Sequence, residues 1–513
     1  MRNKKGFTLI ELLAVIIILA VIALIATPIV LNVVDNARKS ANKDSAYGLL
    51  DSAKLYYMES LLDESKSLSG NLIAKINVSG SKPNSGEVYV NNKGEIALAV
   101  VYDKVCFTKN YEDADLIESD DIENCTVTVP RELYKDTVLN GADPELKDNL
   151  VAVTINTDGT VKKADIYSEW YNYTNKTWAN AVLLNGDDTY KVGDTIEENN
   201  IKAYYVWIPR YKYQIFYDGT NATSKQLINI EFENKNTTKS NGNTIGSWLT
   251  HPTFTFGDTE LNGIWVGKFE LTGDTTNPTI KPNVTSLTNQ NVSTLFATTQ
   301  KLSTNSSMLK NIEWGAITYL TTSIYGQGLN EVRINNSSTF ITGCAASVEN
   351  GSKYSGCENA YNTTTGYLAS TTGNISGIYD MSGCSWEYVM GVMEDSLNSN
   401  TPSSGYSTQH NSGFSGKNLD DGTTTTGVAF PESKYYDIYK YGTSKSDLTR
   451  YHIGDTTTET KGWNGDYTSF VYSSDPWFLR GGYYGDGTAA GVFAFRSEYG
   501  YAISGFSVRA VLR

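Results

Sequence analysis

Residues 5–13 read Lys-Gly-Phe-Thr-Leu-Ile-Glu-Leu-Leu, and an apolar run extends from residue 9 to residue 26. Glu11 is the charged residue of that run, and the short basic segment 1–6 precedes it. An ionised group in the hydrocarbon core of a membrane costs roughly 2.5 to 3.5 kcal/mol, so an intramembrane acid is by default a functional residue with a partner. The stretch therefore predicts a membrane-inserted helix whose carboxylate has a partner.

These residues resemble the processing site of type IV prepilins. The resemblance implies that a prepilin peptidase cuts after Gly6 and that Phe7 becomes the N-methylated first residue of the mature chain. It also implies that Glu11, the fifth mature residue, pairs with the Phe7 amine of a neighbouring subunit during assembly. Pro28 stands where pilins commonly carry a helix-bending proline. The expected partners are other pilin subunits, the peptidase and the membrane.

Two other interpretations explain less of this segment. A secretory signal peptide is cleaved after its apolar region, usually at small residues in an A-x-A pattern, which residues 23–27 match only weakly. A plain membrane anchor of about 20 apolar residues fits residues 7–26 but gives no reason for Glu11.

The composition favours an exposed, β-rich protein outside the cell. The chain has 513 residues, 35 tyrosines, 44 glycines and only 19% charged residues, and its length predicts about two to four domains. The formal net charge of −14 argues against nucleic acid as a partner. We expect the protein in the cell membrane before assembly and in an extracellular pilus afterwards, in a Gram-positive bacterium.

The fold that we expect is α+β, in four parts. They are a leader at 1–6, a pilin-like helix packed on a small antiparallel sheet at 7–130, a β-rich spacer at 131–202 and a C-terminal domain at 203–513. Apolar residues recur at helical spacing to about Ser67, and segments 86–90 and 95–102 predict a hairpin that covers the helix. The first part resembles a compact pilin of the Gram-positive type. Residues 150–155, before Asp158-Gly159, predict a strand and a turn.

The five cysteines suggest two disulfides. Cys106 and Cys125 bracket an acidic loop, and Cys344 and Cys357 form a second candidate pair. Five reduced cysteines remain an alternative, and Cys384 is expected to be a small buried side chain.

Blocks of residues in the C-terminal part together resemble formylglycine-generating-enzyme-type domains, a branch of the C-type lectin fold. The block at 379–389 is similar to the Gly-x-x-Trp-Glu-Trp motif of that family, with Tyr388 in the last place. The other blocks follow in the family's order and lie at 207–210, 265–272, 312–316, 477–482 and 505–512. The resemblance implies a C-type lectin-like domain. Wide-spaced tryptophans in a glycine-rich fold supply buried area, so they are expected in the core rather than stacked on a ligand.

The catalytic residues of that family are missing. Its oxidase needs two cysteines after the Arg-Gly-Gly motif, where this chain has Asp486 and Gly491. Another branch binds iron through histidines, but His251, His410 and His452 are scattered without ligand spacing. We therefore expect no enzyme, no catalytic residue, no metal and no cofactor. Glu387 and Arg480 are expected to form an ion pair at the base of the last loops, and the alternative is two separate surface charges.

The last loops are rich in tyrosine, serine and glycine. Residues 491–495 predict a strand, and 496–504 an exposed segment. Antibody paratopes use the same residues, because tyrosine supplies a large amphipathic contact at low entropic cost and small residues let the backbone adapt. The region therefore predicts a ligand-binding face.

The arrangement also resembles the variable proteins of diversity-generating retroelements, in which reverse transcription with errors at adenines rewrites a C-terminal stretch. The resemblance implies a fixed frame of Arg480, Gly481, Gly482, Gly491, Phe493, Phe495, Arg509 and Leu512. It implies variation at Tyr483, Tyr484, Gly485, Asp486, Ala489, Arg496, Ser497, Tyr499, Tyr501, Ile503 and Gly505. The alternative is an ordinary adhesin of fixed sequence.

These observations predict a minor or tip type IV pilin that displays an adhesin domain, because a domain of this size would crowd a filament if every subunit carried it. The expected ligand lies on a host cell, another bacterium or a phage. The alternatives are a structural filament subunit of fixed sequence and an enzyme anchored to a pilus.

Overall fold

The computed structural model of the protein divides into two compact units, Met1–Tyr134 and Lys135–Arg513. The residues that the structure describes are 8–63, 66, 68, 70–78, 81–91, 93–127, 132–147, 149–217, 224–241, 246–393, 412–414, 416–417, 424–425, 428, 430–439, 454–472 and 475–513.

The first unit is built on a long helix, α1 (Leu9–Ser60). In its second half, Leu49, Leu50 and Ala53 are buried, and their spacing of three to four residues places them on one face. The helix ends before Ser67, where the sequence predicted its end. Leu61 and Leu62 are 67% and 91% exposed, so they contribute little packing that would extend it.

A four-stranded antiparallel sheet covers the buried face of α1. The strands are β1 (Ser85–Val90), β2 (Ile96–Tyr102), β3 (Val105–Lys109) and β4 (Ile117–Ser119), in that order across the sheet. β1 and β2 form the predicted hairpin, with Val90 opposite Ile96 and with Gly94 at a φ of +78° in the turn. The hairpin and the packing of helix on sheet are therefore confirmed. A disulfide joins Cys106 in β3 to Cys125.

The described part of the second unit consists of strands, two α-helices, short 3-10 helices and connecting turns. The helices are α2 (Val292–Thr299) and α3 (Asn311–Thr321). The strands up to α3 are β5 (Leu150–Ile155), β6 (Val161–Lys163), β7 (Asn180–Leu184), β8 (Ile201–Pro209), β9 (Tyr211–Gln214), β10 (Asn229–Phe232), β11 (Leu249–Thr250), β12 (Thr255–Phe256), β13 (Thr259–Glu260), β14 (Gly263–Gly267), β15 (Thr272–Gly273), β16 (Pro278–Thr279) and β17 (Ser306–Met308). The later strands are β18 (Cys344–Ala345), β19 (Asn359–Ala360), β20 (Trp386–Met393), β21 (Gly416–Lys417), β22 (Thr424–Thr425), β23 (Asp437–Tyr439), β24 (Trp477–Arg480), β25 (Phe495–Glu498), β26 (Phe506–Val508) and β27 (Ala510–Leu512).

A seven-stranded sheet with the order β17-β27-β14-β8-β7-β5-β6 forms one layer of this unit. β5 is the strand predicted at 150–155, and it pairs with β7, which in turn pairs with β8. The structure thus differs from the predicted separation of a spacer at 131–202 from a domain starting at 203. The apolar side chains of β5 and β7 complete the same buried sheet, with Val151 and Val182 at most 5% exposed.

A second sheet carries the last loops of the chain. Its order is β23-β20-β24-β25, and β26 pairs in parallel with the first residues of β20, Trp386 to Tyr388. All residues of α3 are buried.

The predicted core position of the tryptophans is confirmed, because each is at most 4% exposed: Trp207, Trp265, Trp314, Trp386 and Trp477.

The chain passes from the second sheet to the first at Arg509, which lies between β26 and β27. Its fully buried guanidinium donates to Glu387 Oε1 at 2.5 Å, to Gly267 O at 2.9 Å and to Tyr379 O at 2.9 Å. Glu387 belongs to β20 and Gly267 ends β14, so one side chain joins both sheets. The predicted pair of Glu387 with Arg480 is therefore wrong, because Arg509 takes the carboxylate.

Arg480 has other partners in the interior. It donates to Thr456 O at 3.2 Å and to Thr456 Oγ1, and its guanidinium lies 5.5 Å from the centre of the Trp314 ring. Asp455, Glu459 and Asp466 add favourable charge, although burial still lowers the pKa of Arg480 to about 10.

Two further carboxyl groups, Glu270 and Asp380, are buried near the Arg509–Glu387 pair. Burial raises the pKa of Glu387 to about 7, and it raises the pKa values of Glu270 and Asp380 as well. Three carboxylates beside one guanidinium would leave uncompensated negative charge in the core, so protonation of some of them is expected. Arg509 and the three carboxyl groups are thus buried between the two sheets and do not face solvent.

The remaining cysteines lie in the same unit. Cys344 and Cys357 are joined by a disulfide, and Cys384 is a buried free thiol. Burial raises the pKa of the Cys384 thiol, which fits the expected role as a small buried side chain.

Candidate assembly motif and binding face

The first turn of α1 holds the carboxylate of Glu11 against its own chain. The backbone N–H and the hydroxyl of Thr8 donate to Glu11 Oε2 at 2.8 and 2.9 Å, and the Glu11 N–H donates to Thr8 Oγ1 at 3.4 Å. This reciprocal arrangement is a capping box, which satisfies amide groups at the start of a helix. Gly6 and Phe7, the predicted cleavage pair, lie outside the described residues.

The rest of the apolar run forms the exposed half of α1. By length and composition this helix could cross a membrane, although a signal sequence near the N-terminus would pass the same test. Its large apolar side chains are between 43% and 86% exposed from Leu9 to Val34. Pro28 lies inside α1, which continues through it.

In the second unit, the stretch 483–505, called the terminal stretch below, begins with two half-buried tyrosines. Tyr483 and Tyr484 have ring centres 4.0 Å apart, and the ring of Phe340 lies 6.0 and 5.4 Å from them. The Tyr484 N–H donates to Cys384 O at 3.1 Å, and the Tyr483 N–H donates to Asp486 Oδ2 at 2.8 Å. The turn is therefore held by a bond within it and by a bond to Cys384, two residues before β20.

Trp386 at the start of β20 lies next to the middle of the terminal stretch. The guanidinium of Arg496 is 5.8 Å from its ring centre, and the ring of Tyr467 packs edge-on at 6.4 Å. The Asp486 side chain forms a hydrogen bond with Trp386, while burial raises the pKa of Asp486. Trp386 itself is only 4% exposed, so it supports these groups from below.

The end of the terminal stretch adds a second pair of aromatic rings. Tyr499 is 38% exposed, and its ring centre lies 5.6 Å from that of Tyr501. Arg496 pairs with the nearly buried Glu498 at 2.7 Å, so its charge is balanced within the protein. We call Phe340, Tyr467 and the exposed or half-buried residues of the terminal stretch the candidate binding face.

The pattern of burial separates the predicted variable positions from the predicted frame. All eight frame residues are buried, including Arg509 and Leu512 outside the terminal stretch. Of the eleven predicted variable positions, Ser497 and Gly505 are buried, and the rest are exposed or half-buried: Tyr483, Tyr484, Gly485, Asp486, Ala489, Arg496, Tyr499, Tyr501 and Ile503.

Gly505 differs from the other predicted variable positions. Its φ is +130°, a conformation that side-chain-bearing residues rarely adopt, and a Cβ atom there would lie 2.9 Å from Tyr483 Cε2. Gly485 is exposed, and a Cβ atom there would meet only Tyr483 at 3.5 Å. The geometry therefore favours glycine at 505 and allows other residues at 485.

The predicted strand at 491–495 is wrong in its position. β25 begins only at Phe495, and it continues through Arg496 and Ser497 into the segment predicted to be exposed. Residues 491–494 turn instead, because Asp466 Oδ2 accepts the Phe493 N–H at 2.9 Å and Val492 O accepts the Trp314 indole N–H at 2.8 Å.

Phe340 and Tyr467 were missed by the sequence analysis. Phe340 has a φ of +56°, and neither this conformation nor the approach of two distant loops to the terminal stretch is visible in the order of residues. The tyrosine content of residues 467–472 was the available signal for the second loop.

The histidines show no ligand arrangement in the described part of the chain. His251 is buried, its Nδ1 accepts the Thr253 N–H at 3.3 Å, and burial lowers its pKa to about 3. Its neighbours are the rings of Tyr211, Tyr213 and Tyr319, so it has a packing role. His410 and His452 lie outside the described residues.

Residues 1–27 match the family model of the prokaryotic N-terminal methylation motif. The match includes Gly6, Phe7 and Glu11, and it suggests a type IV pilin-type protein. With the apolar helix, it fits membrane insertion, processing by a peptidase, association with pilin subunits and an extracellular pilus as the final location. A search of curated proteins finds none that matches the chain.

Gly505→Ala should destabilise the second unit by about 1 to 3 kcal/mol, because alanine is strained at this backbone conformation and displaces the Tyr483 ring. Gly485→Ala is the matched control and should change stability by less than about 0.5 kcal/mol. All nine tryptophans lie between residues 170 and 477, so denaturation followed by tryptophan fluorescence reports on this unit. Equal stability of the two variants would contradict the conclusion that the backbone geometry favours glycine at 505.

Proposed function

We propose that the protein is a minor or tip type IV pilin that displays a C-terminal ligand-binding domain. The N-terminal motif and α1 would insert the subunit into a filament, and the second unit would present the candidate binding face. One observation carries this proposal: half-exposed tyrosines and Arg496 stand on a completely buried frame. Such a surface combines adaptable contacts with a rigid support, as in antibody paratopes.

The C-type lectin-like fold of the second unit belongs to the same proposal. It is supported by the resemblance of the sequence blocks and by their meeting around one core. Trp207 and Trp265 lie opposite each other on paired strands, and their rings are 5.2 Å apart. Trp386 is aligned with Phe506 on the neighbouring strand, although these blocks are more than a hundred residues apart in sequence.

Retroelement diversification of the terminal stretch is also proposed. Its support is the burial pattern: the eight frame residues are buried, whereas nine of the eleven predicted variable positions are exposed or half-buried. A fixed frame with exposed changeable positions would let one fold carry many surfaces. Gly505 is excluded from this proposed set by its backbone conformation.

The diversification proposal predicts a specific genomic arrangement. A reverse transcriptase gene should lie near the gene for this protein, with a near-copy of the coding sequence for residues 477–513 that differs at adenines. Sequencing of the locus checks this, and differences at other bases or at frame codons would contradict it. The adhesin proposal does not depend on this result.

Glu11→Ala should reduce incorporation of the subunit into pili at least about tenfold, which corresponds to a loss of about 1.4 kcal/mol in assembly free energy. The expected reason is the loss of the charge that pairs with a neighbouring subunit. Incorporation is measured by immunoblotting, as the amount of the subunit in sheared pili relative to the amount in the membrane fraction. Asp35→Ala, on the same helix beyond the apolar run, is the control, and equal incorporation of both variants would refute the assembly role.

The adhesin proposal predicts that the full-length protein, in detergent micelles, binds members of an array of surface proteins and glycans. Replacing Tyr499 and Tyr501 together by alanine should weaken that binding roughly tenfold or more, because buried aromatic contacts dominate interfaces. Pili that contain this variant should remain intact. Loss of filaments with retained binding would favour the structural-subunit alternative, and a wild-type protein that binds nothing would count against adhesion.

A further inference from the structure

Phe340 has a backbone conformation that is costly for its residue type. Its φ of +56° lies in the left-handed region, which bulky side chains seldom enter and which costs on the order of 1 to 3 kcal/mol. Such residues persist only where the surroundings determine the conformation, and they cluster at functional sites. Phe340 is half-buried, so its ring is not accounted for by a place in the core.

Hydrogen bonds hold this conformation on both sides of the residue. The Phe340 N–H donates to Ser337 O at 3.0 Å, and Phe340 O accepts the Ser286 N–H at 2.9 Å. The next residue, Ile341, donates its N–H to Ser337 Oγ at 3.0 Å and accepts from Asn335 Nδ2 at 2.9 Å.

The same network extends to the terminal stretch. Asn335 O accepts the Cys384 N–H at 2.7 Å, and Cys384 O accepts the Tyr484 N–H at 3.1 Å. The Phe340 loop and the turn with Tyr483 and Tyr484 are therefore anchored to one segment, and the three rings are placed in advance.

Tyr467, like Phe340, lies outside the terminal stretch in sequence and contacts it in the structure. Its N–H donates to Ala489 O at 2.9 Å, and its carbonyl accepts the Phe495 N–H at 2.9 Å, so its backbone is tied to the stretch at two points. Its side chain is 50% exposed beside Trp386. The two backbone hydrogen bonds fix the position of Tyr467, while half of its side-chain surface remains accessible to a ligand.

We propose that Phe340 and Tyr467 are permanent binding residues of the candidate binding face and that the face binds the surface of a folded protein. This inference rests on the proposed adhesin function. The two rings lie outside the terminal stretch, so they would contribute to binding whatever residues the stretch carries.

The chemistry of the face favours a protein over a small ligand. Its rings come from separate segments at 340, 467, 483–484 and 499–501, which spreads the contact, whereas small ligands are bound by concave pockets that enclose most of their surface. The tyrosines, Phe340 and Arg496 of the face are of residue types that are enriched in protein interfaces. The charge of Arg496 is balanced by Glu498, so binding to it does not require an anionic ligand.

The experiment uses the array of surface proteins and glycans with the full-length chain in detergent. Phe340→Gly removes the ring and leaves a residue that adopts a φ of +56° without strain. Tyr467→Ala removes the second ring. Tyr190→Ala, a half-buried tyrosine near the β6 edge of the seven-stranded sheet, is the control.

Each of the two variants should weaken binding to the protein targets of the wild type about tenfold or more, mainly through faster dissociation. Phe340→Tyr should restore binding, and Tyr190→Ala should leave it unchanged. Melting followed by tryptophan fluorescence should place all variants near the wild type; if Phe340→Gly unfolds, Tyr467→Ala decides the question.

Several outcomes would overturn the inference while leaving adhesion in place. Protein binding that is unaffected by Tyr467→Ala and Phe340→Gly would remove their role. Binding to glycans alone would remove the protein as ligand. A wild-type protein that binds no member of the array would instead count against the proposed function, and this inference would fall with it.

Discussion

The second unit depends on a buried ion pair between Arg509 and Glu387. The guanidinium also donates to the carbonyls of Gly267 and Tyr379, so it links β20 of one sheet with the end of β14 in the other. Removing one member of such a pair strands a charge in the core and costs several kcal/mol. Since Arg509 immediately follows β26 and precedes β27, the pair also fixes the path of the chain just after the terminal stretch.

The firm base of the candidate binding face follows from this arrangement. The middle of the terminal stretch is fixed by the pairing of β25 with β24, and the residues just after it are fixed by the pairing of β26 with β20. The backbone positions of Tyr483, Arg496 and Tyr499, which lie in or next to these strands, are therefore fixed. A surface that is ordered before binding loses less conformational entropy when a partner arrives.

Much of the fold could be predicted because it follows from local patterns. The apolar run with Glu11 predicted α1, and the segments around Gly94 predicted the first hairpin. Strand β5 and the buried tryptophans followed from alternation and residue size. The place of 131–202 in the large sheet was missed because it depends on strand pairing between distant segments. The partner of Glu387 was missed because the sequence offers more than one arginine and does not show which of them reaches the carboxylate.

The candidate binding face was only partly predictable for the same reason. Tyrosines near the end of the chain were visible as a cluster, but Phe340 and Tyr467 reach them through loops that are far away in sequence. The restriction at Gly505 depends on a backbone angle and on the position of the Tyr483 ring. Neither property has a pattern that a single sequence displays.

The hydrogen bonds in the middle of the terminal stretch limit how this region can evolve. Val492 and Phe493 are bonded to Trp314 and Asp466, and Phe495 pairs with Arg480 in the sheet. An inserted or deleted residue would shift one of these pairings, whereas a changed side chain at an exposed position would not. The exposed positions of the region are thus less constrained than its length, and changes that keep the fold are expected to occur at constant length.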